Sequence, residues 1–83
     1  PILMLRNLQL AEIKKVGNAG KHLKLWFKAD DLQLEAIGFS MGSRAETLSY
    51  NDNYDIAFNL ESNEYNGFEN VQLSLVDMRE GEG

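Results

Sequence analysis

In the stretch His22-Leu23-Lys24-Leu25-Trp26-Phe27-Lys28, polar or amphipathic residues alternate with apolar ones. Strand geometry sends His22, Lys24, Trp26 and Lys28 to one face and Leu23, Leu25 and Phe27 to the other. An indole between two ammonium groups suits a single nucleic-acid strand, because bases stack on aromatic rings while lysines neutralise the neighbouring phosphates. Lys14, Lys15 and Lys21 lie just upstream and could extend the basic strip. A plainer reading packs Trp26 against another domain, with the lysine stems covering apolar surface. Glu35, on the segment expected to face this one, would repel phosphate or pair with a lysine. A second aromatic pair, Tyr65 and Phe68, flanks Asn66-Gly67. It could stack bases at a loop tip or simply form a cross-strand aromatic contact.

Other chemistries are poorly supplied. The 83 residues contain no Cys and one His, which leaves no thiolate nucleophile, no Cys-based metal site and no material for a His cluster. Asp52, Asp55, Glu61, Glu64, Asp77 and Glu80 are scattered and read as solvated surface, so neither a catalytic set nor a metal-ligand set is expected. No apolar run approaches the ~20 residues that span a bilayer, and the opening Pro1-Ile2-Leu3-Met4-Leu5 lacks the charged segment of a signal peptide. Charge is unevenly placed. Residues 1–29 hold six bases against one acid, a net of +5, whereas residues 30–83 hold two bases against twelve acids, a net of −10. A net charge of −5 makes strong independent nucleic-acid binding unexpected, because phosphate affinity scales with cationic contacts.

The elements that must position these residues are mostly strands. Leu8, Leu10, Ile13 and Val16 predict a first strand closed by Gly17-Asn18-Ala19-Gly20, and His22–Lys28 the second. After Asp30-Asp31, a third strand with Leu32, Leu34 and Ala36 returns as a hairpin. Ser43 and Glu46 stand at capping-box spacing, which predicts a short helix over residues 43–48. Tyr54, Ile56, Phe58 and Leu60 mark a fourth strand, and Val71, Leu73 and Leu75 a fifth, with Asn66-Gly67 between them. Leu23, Leu25, Phe27, Leu34, Ile56, Phe58, Leu73 and Leu75 form the expected core. Five short strands hide their edges best by closing. The expected fold is therefore all-β, a five-stranded Greek-key OB-fold barrel with a short helix between strands 3 and 4. The whole of 1–83 is expected to be one domain of a longer chain, with 1–7 and 80–83 as flanking or frayed ends.

The ordered residues resemble a particular family. His22-Leu23-Lys24-Leu25, Ala36-Ile37-Gly38-Phe39 and Met41-Gly42 are similar to the second and third strands of the OB domain of bacterial RecJ, the single-stranded-DNA-specific exonucleases of the DHH superfamily. Asp55-Ile56-Ala57-Phe58, Asn63-Glu64-Tyr65-Asn66-Gly67, Val71-Gln72-Leu73 and Val76-Asp77-Met78-Arg79 resemble that domain's last two strands, and the match runs from about Gln9 to Arg79. The resemblance implies an accessory domain that helps hold single-stranded DNA for a 5′-to-3′ exonuclease of repair and recombination. Its partners would be single-stranded DNA, bound weakly by these residues alone, and the DHH and DHHA1 domains of the same chain. The divalent manganese or magnesium and the catalytic residues would lie in the DHH domain, outside these residues. A cytoplasmic bacterial protein is implied, with no membrane partner. The alternative is a structural OB module that docks another domain and makes no DNA contact.

Overall fold

The computed structural model describes residues 1–81, apart from the side chains of Asn63 and Tyr65. Five strands, β1 (Leu3–Val16), β2 (His22–Ala29), β3 (Leu32–Gly38), β4 (Asn53–Tyr65) and β5 (Phe68–Glu80), close into a barrel in the order β1-β2-β3-β5-β4. Every pairing is antiparallel except β3 with β5, which meet in parallel at Ala36↔Leu73 and Ile37↔Ser74. This is the expected five-stranded OB-type barrel, and closure leaves few strand edges open.

β1 serves both sides of the seam. Its first half pairs with β4 and its second half with β2, and a register shift marks each ladder, between Leu5 and Leu8 and between Leu10 and Glu12. Bulges of this kind bend a strand and raise its twist, which a small barrel needs at its corners. At the first bulge Asn7 adopts φ 56, a left-handed value that Asn tolerates better than most residues. The Asn7 N–H leaves the ladder and donates to Asp55 Oδ1 at 2.9 Å. Asp55 is only 7% exposed, and its other oxygen lies 3.4 Å from Arg79 Nε. The buried carboxylate thus satisfies the amide that the bulge displaces.

Two expectations are corrected here. Residues 1–7 are not merely a flank, since Leu3, Met4 and Leu5 pair with Phe58, Ala57 and Ile56. The Asn7 bulge breaks the two-residue alternation and hides this first part of β1 from a periodicity reading. At the other end Glu80 belongs to β5, while residues 82–83 lie outside the described residues. The short helix is present as a 3-10 helix over Gly42–Thr47, but Met41 leads into it without a side-chain cap. The Ser43/Glu46 capping box does not form. Glu46 reaches across to β1 instead, where Lys15 Nζ stands 2.6 Å away.

The core follows the alternation. Leu10, Leu23, Leu25, Phe27 and Ala36 are completely buried, with Ile56, Phe58, Leu73 and Leu75 packed beside them. Leu34 is only partly buried at the rim, while Leu8, Tyr54 and Met78 complete the cluster. Asn66 and Gly67 both take positive φ, 52 and 79, as a two-residue type I′ hairpin turn requires.

Candidate nucleic-acid interface

The outward residues of β2 fall into cross-strand rows with their neighbours on β1 and β3. Trp26 stands opposite Glu12 on β1 and Glu35 on β3. Lys24 stands opposite Lys14 and Ile37, and Lys28 opposite Gln9 and Gln33. The bulge between Leu10 and Glu12 sets this arrangement. It flips the later half of β1 by one residue, sending Glu12 and Lys14 to the outer face and turning Ile13 toward the core.

Trp26 is half-buried and Lys28 exposed. Lys24 is engaged twice, with its Nζ 2.8 Å from Glu35 Oε1 and 5.7 Å from the centroid of the Trp26 ring. An ammonium at that distance from an indole is attracted by the ring quadrupole. Glu35 therefore pairs with a lysine, the second of the roles expected for it.

His22 faces outward at the end of the same strand, where its Nδ1 accepts the Ser40 N–H at 2.9 Å. Its ring meets Phe39 edge to face, 5.4 Å between centroids. His22 thus ties the loop after β3 to β2. Patterning alone does not mark Phe39 for stacking, yet it is 55% exposed beside His22. In the sequence it stands within the Ala36-Ile37-Gly38-Phe39 segment of the family resemblance.

The remaining lysines are divided. Lys14 is exposed in the Lys24 row. Lys15 registers with Leu23 and turns toward the helix, where it is held by Glu46. The hydrogen bond from Lys15, followed by its own backbone contact and the lysine charge, holds the Glu46 carboxyl below its ordinary range. Lys21 lies in the loop before β2, and its carbonyl accepts the Gly42 N–H at 2.9 Å. Among the described residues, Lys14, Lys21 and Lys28 enter no ion pair.

Phe68 is set apart from these rows. It is 73% exposed at the far end of the β4–β5 hairpin, beyond the Leu73 and Ser74 positions where β5 meets β3. Tyr65 pairs with it through the backbone, and the Tyr65 side chain lies outside the described residues. The hairpin is acidic. Residues 53–78 hold no Lys or Arg, and Glu64 and Glu69 stand directly opposite each other, an arrangement unfavourable to phosphate. Among the described residues no three His, Asp or Glu side chains converge.

Comparison with known proteins gives a consistent picture. The family model described as the RecJ OB domain matches residues 1–77. The chain is 26% identical over 77 residues to the single-stranded-DNA-specific exonuclease RecJ of Bacillus subtilis (strain 168), an alignment covering 93% of this chain and 10% of that protein. It also superposes on a crystal structure of RecJ in complex with Mg2+ from Thermus thermophilus, with a TM-score of 0.66 and 19% identity, over 100% of this chain and 12% of that one. The chain therefore spans about a tenth of the length of these relatives.

Proposed function

Because this chain belongs to the RecJ OB domain family, we propose that the outer face of β2 is an auxiliary contact for single-stranded DNA within a 5′-to-3′ exonuclease of repair and recombination whose catalytic domains lie elsewhere in the parent protein. The observation that carries this reading is the half-buried Trp26 on the outer face of β2, with the exposed Lys14 and Lys28 in the adjoining rows. OB folds use the face of strands 2 and 3, with the flanking loops, to bind oligonucleotides, and Lys21 lies in one of those loops.

Magnitudes limit what this face does unaided. One stacked base is worth about 1–3 kcal/mol, and two or three phosphate contacts on a single strand give a salt slope near −0.7 each. Against a net charge of −5 that supports weak binding. The contact gains force when a catalytic domain already holds the same strand, since tethering raises the effective concentration.

Trp26 is the only tryptophan, so its emission reports on the face directly. Titration with oligo-dT at low salt is expected to change that emission saturably. Lys14→Glu combined with Lys28→Glu is expected to weaken the response, more at low salt than at high salt. An emission unchanged by oligo-dT would argue for the domain-docking alternative, and an unaltered response in the double variant would remove these lysines from the interface.

A further inference from the structure

We propose that Glu35 is a positioning residue that occupies Lys24 in place of phosphate, holding its ammonium on the Trp26 ring and withholding both from an incoming strand. The proposal rests on the reading of this face as a DNA contact and adds what limits its strength.

The register explains why Lys24 turns to Glu35. Its neighbour on β1 is Lys14, which repels it, and its direct neighbour on β3 is Ile37, only 8% exposed. The carboxylate within reach is diagonal, on Glu35, and the 2.8 Å contact places the ammonium over the indole that Glu35 itself faces. Glu12 flanks Trp26 from the other side. A base that stacks on the covered side of the ring must displace Lys24. A phosphate that takes Lys24 must either break the Glu35 contact or lie beside its carboxylate, and both weaken binding. In effect the face offers one phosphate contact fewer than its lysines suggest.

The test uses the 83-residue chain, which closes its own barrel around its own core. Binding of dye-labelled oligo-dT, about 12 nucleotides long to suit an OB-fold site, is followed by anisotropy across a salt series. Glu35→Gln is expected to raise affinity about two- to fivefold at low salt, the scale of an exposed ion pair. It should steepen the salt slope by about 0.7, the signature of one added phosphate contact. The Trp26 emission of the DNA-free variant should change as Lys24 leaves the ring. Lys24→Met should remove the gain in the Glu35→Gln background. Unchanged affinity and slope for Glu35→Gln, with Trp26→Ala still weakening binding, would overturn this inference and leave the interface standing. Wild-type binding by Trp26→Ala, or no binding by any of these proteins, would overturn the interface and the inference together.

Discussion

Phe27→Ala is expected to lower the folding free energy by about 3–5 kcal/mol. The ring is fully buried, and its strand neighbours in register are Leu10 on β1 and Leu34 on β3. Truncation would leave a cavity bounded by three strands that are tied to one another, so little collapse can fill it. At roughly 0.05–0.15 kcal/mol per residue, a domain of this size has about 4–12 kcal/mol in total. The variant would then sit near the edge of unfolding. Chemical denaturation provides the check, with Trp26→Ala as the contrast one residue away on the opposite face. A much lower midpoint for Phe27→Ala than for Trp26→Ala is expected, and equal midpoints would mean that the two faces of β2 are assigned wrongly.

Gly42→Ala is expected to be the other severe substitution. A Cβ at this position would collide with the Gly20 carbonyl oxygen and fall 2.9 Å from the Lys21 carbonyl carbon and oxygen. These are backbone atoms, and the Gly42 N–H also donates to the Lys21 carbonyl at 2.9 Å. No rotamer relieves the clash, so the 3-10 helix and the loop before β2 must separate. Overpacking of this kind costs about 1–3 kcal/mol, and more where nothing can yield. Gly38→Ala is the informative comparison, because the nearest obstacle there is the flexible Met41 side chain, with Sδ at 2.7 Å. The denaturation midpoint is expected to fall further for Gly42→Ala than for Gly38→Ala, and a wild-type midpoint for Gly42→Ala would refute the close approach.

What could be read from the sequence was what alternation and turn chemistry encode. β2 was legible because seven consecutive residues alternate without interruption, and the β4–β5 turn because Asn-Gly suits two successive positive φ values. The parts that escaped depend on contacts across the fold. The start of β1 was obscured by the Asn7 bulge, whose amide is satisfied by Asp55, 48 residues away. The capping box failed because Glu46 finds Lys15, 31 residues distant, a better partner than its own helix end. Glu35 was legible as a facing carboxylate, but Glu12 was not. Its outward position depends on a bulge that inverts the pattern of β1 after Leu10.

The most direct test of the interface maps the backbone amide resonances of the chain as oligo-dT is added at low salt. Shifts concentrated at Lys14, Lys21, Trp26, Lys28 and Phe39, which packs on His22 at the start of β2, are expected, with little change along the acidic hairpin between Asn59 and Gln72. Shifts confined to that hairpin, or none at any DNA concentration, would contradict the assignment of the outer β2 face as the DNA contact.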